Sequence, residues 1–169
     1  MFMPMSLPES YERAKMTANA EHLTPMAHAA HNRCFGCGQA NPTGLHLEFF
    51  LAVDGAVVCL PTIPDTYEGP TGYLHGGIIA TLLDEAMSKA IRSKGIVAMT
   101  GKLEVEYLRP VPSNAPIRIE GRVTSQEGRK NWAEAKILNE KGVELARGKG
   151  LFIQLIARPA PMNAPGQSR

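Results

Sequence analysis

The hydrophobic positions of this chain change period along its length. Two short apolar runs, residues 45–51 and 56–60, flank Asp54-Gly55 and predict two strands joined by a tight turn. A loop rich in Pro, Gly and Thr follows over 61–74. Residues 77–93 (GIIATLLDEAMSKAIRS) then set Ile78, Ile79, Leu82, Leu83, Ala86, Met87, Ala90 and Ile91 at i, i+3/i+4 spacing. That predicts a helix with a broad buried face, ended by Gly95. Beyond it the period is two. Leu103, Val105 and Tyr107 alternate with Lys102, Glu104 and Glu106, and Ile117, Ile119 and Val123 alternate with Arg118, Glu120 and Arg122. Strands over 132–138 and 143–155 complete the set, with turns at Glu127-Gly128 and over 139–142. Four consecutive strands on short connections are expected to be largely antiparallel. A single apolar helix cannot form a bundle, so it must lie against that sheet. The pattern predicts an α+β domain over 32–156. Residues 1–31 form an N-terminal extension, expected to be partly mobile with a short helix over 9–16, and the Pro/Ala-rich 157–169 a mobile tail.

Composition narrows the function. The chain has 169 residues, 44% hydrophobic but only 6% aromatic, so its core depends on aliphatic side chains. A formal charge of +2 is too weak and dispersed for a nucleic-acid partner. No apolar run reaches the ~20 residues of a membrane helix, and no secretory signal is expected in the opening residues. With three cysteines, an odd number, no disulfide framework is expected, and a cytoplasmic setting is.

The segment Gly72-Tyr73-Leu74-His75-Gly76-Gly77 opens the helix without Ser, Thr, Asp or Asn at the cap position. The first N–H groups are therefore expected to lack a side-chain acceptor, and the positive end of the helix dipole would favour an oxyanion. The alternative is that the glycines only admit a neighbouring strand. Asp84 falls at the margin of the apolar face, with Thr81 and Ser88 nearby, a setting that tunes a general base or nucleophile. It could equally be a hydrogen bonder at an interface. Glu85, with Lys89 four residues on, is expected to be a solvated pair. His75 and Asp84 are separated by about 13 Å along the axis, on opposite sides of the helix. They cannot meet at one carbonyl carbon within a chain, so a site built from both requires a two-fold dimer.

HGGIIATLLDEAM (75–87), with Asp84 nine residues after His75, resembles the hotdog-fold acyl-CoA thioesterases of the PaaI-like and 4-hydroxybenzoyl-CoA type. The stretches 100–113 and 142–152 are similar to that family's later strands. The resemblance covers 32–156 and implies a six-stranded antiparallel sheet around one long central helix, dimers often paired as homotetramers, and metal-free hydrolysis of acyl-CoA. It implies Asp84 as base or nucleophile, the amides of Gly76 and Gly77 after His75 as carbonyl-polarising groups, and Thr100 as a supporting hydroxyl. Many members carry an Asn shortly before HGG. This chain has Tyr67-Glu68-Gly69-Pro70-Thr71-Gly72 there, so Glu68 or Thr71 would substitute or turnover would be weak. Leu83 and Met87 would shape the acyl pocket. Arg129, Lys130 and Arg147 are candidate phosphate contacts for CoA, or plain surface cations.

His28-x2-His31-x2-Cys34-x2-Cys37 has a spacing that could hold Zn²⁺, but only Cys59 remains for a second half. No metal and no separate cofactor are expected. His46 is expected to be exposed, and Trp132 to pack on the sheet. The reading is an acyl-CoA thioesterase. Its alternatives are a non-catalytic acyl-CoA or lipid-binding hotdog protein, for which the missing Asn argues, and a structural oligomer using HGG only for contact.

Overall fold

The computed structural model describes residues 22–156, so the expected helix over 9–16 and the tail over 157–169 lie outside the described residues. Strands β1 (Thr24–Pro25), β2 (Phe49–Leu51) and β3 (Val57–Cys59) precede a 3₁₀ turn (Asp65–Tyr67) and the helix α1 (Gly76–Arg92). Strands β4 (Ala98–Tyr107), β5 (Ile117–Glu127), β6 (Lys130–Asn139) and β7 (Glu144–Gln154) follow. All pairings are antiparallel, in the order β1-β2-β3-β5-β6-β7-β4. One face of this sheet carries α1.

The helix starts one residue earlier than its apolar period predicts and buries the expected stripe: Ile79, Leu82, Leu83, Ala86, Met87, Ala90 and Ile91. Burial of each large aliphatic side chain contributes roughly 1.5–3 kcal/mol before chain entropy is counted. They meet Ile117, Ile119, Ala133, Ala135, Ile137 and Phe152 in one continuous core. Glycines set how closely the helix approaches. A Cβ on Gly121 of β5 would stand 2.5 Å from the Ala86 carbonyl oxygen, and one on Gly150 of β7 would stand 3.3 Å from Met87 Sδ. The Asp54-Gly55 turn forms as expected, with Gly55 at φ +82°.

Three features differ from the pattern. Among the described residues the sheet has seven strands rather than six, because Thr24 and Pro25 pair with Leu51 and Phe50 along the outer edge of β2. Two residues carry no readable period, and proline is tolerated there because an edge strand does not need its N–H. The run 45–51 is strand only from Phe49. His46, which is exposed, takes φ +50°, and the Leu45 and Leu47 N–H groups donate to the carbonyls of Phe35 and Gly36 instead. Finally, β4 does not neighbour β5 but pairs with β7 at the opposite edge. The connection between them holds Pro110, Pro112 and Pro116, which cannot donate to a ladder. It is pinned instead over the loop before α1, where Leu74 N–H donates to Val111 O at 2.9 Å. Trp132 lies half-buried on the face of the sheet away from α1, opposite Leu151 of β7.

Gly121→Val tests the glycine floor. Overfilling a close contact costs about 1–3 kcal/mol, and here the obstacle is helix backbone rather than a movable side chain. Urea unfolding should show a loss at or above the top of that range.

Candidate active site

The loop before the helix is drawn tight. Gly72 takes φ +86°, Tyr73 N–H donates to Pro70 O at 2.9 Å, and Gly69 N–H to Tyr73 O at 3.0 Å. His75 N–H donates to Tyr67 O at 3.0 Å, which locks the first residue before the helix to the 3₁₀ turn. His75 is the N-cap. Its Nδ1 accepts from Gly77 N–H at 2.9 Å, and its carbonyl accepts from Ile78 and Ile79. This corrects the expectation of an uncapped start, since an imidazole nitrogen does the work usually done by a hydroxyl or carboxylate oxygen. A ring that accepts at Nδ1 carries its proton on Nε2. The Gly77 N–H is therefore occupied, and Gly76 supplies the terminal donor that no described residue accepts from.

Tyr107, at the end of β4, donates its hydroxyl to Gly76 O at 2.9 Å. The strand alternation presents this residue only as an apolar position, and its polar end finds a use that needs α1 and β4 side by side. Gly76 thus has its carbonyl held while its N–H stays free.

Two turns along α1, Asp84 is half-buried, and its Oδ1 accepts from Thr100 Oγ1 at 2.8 Å. A bulge makes that contact. The β4–β7 register shifts between Thr100 and Lys102, leaving Gly101 out of step. Ala98 and Thr100 face the helix before the bulge, and Leu103 and Val105 face it after, a change of parity that an unbroken strand cannot make. Burial raises the Asp84 carboxyl above its ordinary range, the Thr100 bond lowers it, and the Glu85 charge adds a further rise. The net direction is up. Thr81 does not join this pair, because its hydroxyl donates back to Gly77 O at 2.9 Å.

The other expected residues are placed elsewhere. Glu68 is half-buried beside the loop, and its Oε1 accepts from the Ser113 hydroxyl, while Thr71 stands exposed at the turn. Leu83 and Met87 are fully buried against the sheet, so neither meets solvent in a single chain. Arg129 and Lys130 lie exposed at the β5–β6 turn, with Arg129 Nε donating to Gln154 O at 3.1 Å. Arg147 points away from α1 and pairs with Glu106 Oε2 at 2.6 Å. His31 is exposed, and His28 lies 3.5 Å from Lys89 Nζ.

Known proteins resemble this chain in sequence and in fold. Residues 71–146, which hold the capped helix, Asp84 and Thr100, match the sequence profile of the thioesterase superfamily. The chain is 34% identical to an acyl-coenzyme A thioesterase THEM4 of Xenopus laevis over 109 residues, 63% of this chain and 49% of that protein. It thus spans about half the length of the curated relatives it matches. Among solved structures, a thioesterase superfamily protein superposes with TM-score 0.67 at 24% identity, covering 89% of this chain and 81% of that one. The E. coli PaaI protein of the phenylacetic acid degradation operon superposes with TM-score 0.56 at 17% identity, over 85% of this chain and 92% of that one. With a capped helix seated on an antiparallel sheet, the chain has the hotdog fold of these solved structures, and from the loop before α1 into β7 its sequence is similar to the thioesterase superfamily.

Proposed function

We propose that the protein hydrolyses acyl-CoA or aryl-CoA thioesters in a site shared by two copies of the chain. The observation that carries this reading is a division of labour along α1. The free Gly76 N–H and the Asp84 carboxylate stand eight positions apart on α1, about 12 Å at 1.5 Å per residue. Neither half alone can both polarise and attack a carbonyl. A second copy across a two-fold axis would set its Gly76 against this chain's Asp84. The open side of β4 supports that arrangement. Beyond β4 no described strand continues the sheet, and Val97 and Met99, beside Thr100, are 48% and 62% exposed. A long bare edge carrying apolar side chains is a surface for pairing. The THEM4 relative's name supplies the substrate class.

In this reading the thioester oxygen accepts from the partner's helix start, where the dipole and the free donor stabilise the developing oxyanion. Acting as a base, Asp84 removes a proton from water as the water oxygen bonds to the acyl carbon, the C–S bond breaks, and the proton passes to the departing thiolate. Acting as a nucleophile, its carboxylate bonds to the acyl carbon as the C–S bond breaks, and water then cleaves the resulting acyl–Asp84 anhydride to the free acid, its proton going to the thiolate. Thr100 orients Asp84 and limits the rise in its pKa. Gly77, spent on His75, is not a donor to substrate. Arg129 and Lys130 would meet CoA phosphate, whereas Arg147 is committed to Glu106 on the other face.

The raised Asp84 carboxyl has a stability consequence. In the pH window just above the ordinary aspartate range the folded chain binds more protons than the unfolded one. Stability attributable to this group therefore falls as pH rises through that window, and the cost is complete above it. Asp84→Asn, which keeps an oxygen for Thr100, should cut thiol release from acyl-CoA by about 10²–10⁴-fold. Urea unfolding at neutral pH should show the same variant at least as stable as the native chain. Native protein that binds acyl-CoA without releasing thiol would overturn the enzyme reading in favour of a binding module.

Thr100→Val should move the acid limb of the kcat/KM profile to higher pH, because Asp84 loses the hydrogen bond that stabilises its charge.

Gly76→Pro tests the shared site directly. Proline suits the first position of a helix, the preceding His75 already has the extended ψ of 140° that proline requires, and only the N–H is lost. Activity should fall about 10²–10³-fold. Mixing it with Asp84→Asn after dissociation should restore roughly a quarter of native activity, since random pairing makes half the dimers mixed and each holds one intact site. A site confined to one chain would show no restoration.

A further inference from the structure

A second chemical cluster lies one residue along the helix from Asp84 and takes no part in the proposed hydrolysis. The loop around residues 34–38 folds against α1 so that Cys34 Sγ, Cys37 Sγ and a carboxylate oxygen of Glu85 all fall within 4.8 Å of one another. Cys34 Sγ stands 3.5 Å from Glu85 Oε2, across 51 residues of sequence. That is about the separation of a thiolate and a carboxylate oxygen on adjacent corners of a tetrahedral zinc ion, given Zn–S near 2.3 Å and Zn–O near 2.0 Å.

We propose that Cys34, Cys37 and Glu85 bind a thiophilic divalent ion of the Zn²⁺ class, which fastens the 34–38 loop to α1. The donor set is two soft sulfurs and one carboxylate, the combination that selects zinc over calcium or magnesium. The backbone is shaped around the carboxylate. A Cβ on Gly36 would stand 2.7 Å from Glu85 Oε2, so any other residue there would push the third ligand away. Surrounding groups serve the sulfurs as metal sites require. Asn32 Nδ2 donates to Cys37 Sγ at 3.4 Å, and Asn32 Oδ1 accepts from Cys34 N–H at 3.0 Å, so one amide braces both cysteines. Two thiolates and one carboxylate around a dication leave one net negative charge. Lys89, whose Nζ lies 3.9 Å from Glu85 Oε1, offsets it. The cysteines are free thiols, and the cluster opens onto a recess of about 350 Å³ that gives an ion and its water a way in. Three protein ligands leave the fourth position to water.

This assignment differs from the spacing His28-x2-His31-x2-Cys34-x2-Cys37. The two histidines lie outside the cluster, and the third ligand comes from the helix, which the spacing could not show. Glu85 is thereby not the solvated surface charge that its place beside Lys89 predicts.

The test uses the full chain, reduced, stripped of metal with a chelator and titrated with Co²⁺ as a spectroscopic probe. The proposal expects one Co²⁺ per chain with a near-ultraviolet thiolate-to-cobalt charge-transfer band, displaced by stoichiometric Zn²⁺. A melting temperature that climbs with free Zn²⁺ is the second readout, independent of activity. Cys34→Ser, at an exposed position that should fold as the native chain does, should lower Zn²⁺ affinity by more than about 100-fold, beyond the usual cost of losing an outer-shell group. Glu85→Gln should keep the thiolate band but weaken binding at least about tenfold. Native reduced protein that gives no band and no Zn²⁺-dependent melting overturns the proposal. A band unchanged in Cys34→Ser, or an affinity unchanged in Glu85→Gln, overturns it as well. So does a reduced chain that ignores metal but closes a Cys34–Cys37 disulfide in air, which would make the pair a redox couple.

Discussion

Helix and sheet meet backbone to backbone where the Ala86 carbonyl passes over Gly121 with no room for a methyl group between them. Gly148 and Gly150 on β7 extend the same floor under Leu83 and Met87. A helix held that near the sheet cannot slide or roll without driving backbone into backbone, so the glycines fix its seat. The geometry of the candidate site inherits that rigidity. Thr100 reaches Asp84, and Tyr107 reaches Gly76, only because β4 and α1 are both referenced to this one seat.

The helix is thus a scaffold with a different task at each end and on each side. Its start presents a free donor whose neighbour is sealed by His75. Its middle carries a carboxylate held partly out of water, where burial disfavours the charge that the chemistry would use. A hydroxyl from a bulged strand limits that penalty without removing it. This is the arrangement expected when a group is kept for reactivity at some expense of stability. In the proposed two-chain site, association would both cover the bare edge of β4 and bring the separated halves on α1 together.

Adjacent residues on the helix face different company. Asp84 meets β4, while Glu85 meets the cysteine loop that precedes β2. A rotation of about 100° per residue in an α-helix is enough to send neighbouring carboxylates to separate partners. The loop over 34–38 lies across the helix because Leu45 and Leu47 are drawn to it by hydrogen bonds rather than extended into β2. Whatever fastens that loop also braces the flank of the residue proposed to do the chemistry.

Much of this was legible in the sequence. The period of 3.6 over 77–93 and of 2 beyond it gave the helix, its buried stripe and the four long strands, because burial on one face leaves a repeat that short-range geometry imposes. The pairing of HGG with Asp84, and Thr100 in the following strand, could also be read there. What only the tertiary structure decided depends on contacts between distant segments. β4 takes the far edge beyond β7, Gly101 bulges so that Thr100 faces Asp84, and Tyr107 closes on Gly76. His75 serves as its own helix's cap, which the residue preferences for caps did not suggest. Glu85 turns from solvent to the cysteines, and Thr24–Pro25 completes a seventh strand too short to show a period. Local patterning records which side of each element is buried; which element lies opposite is settled by how the whole chain closes around one helix.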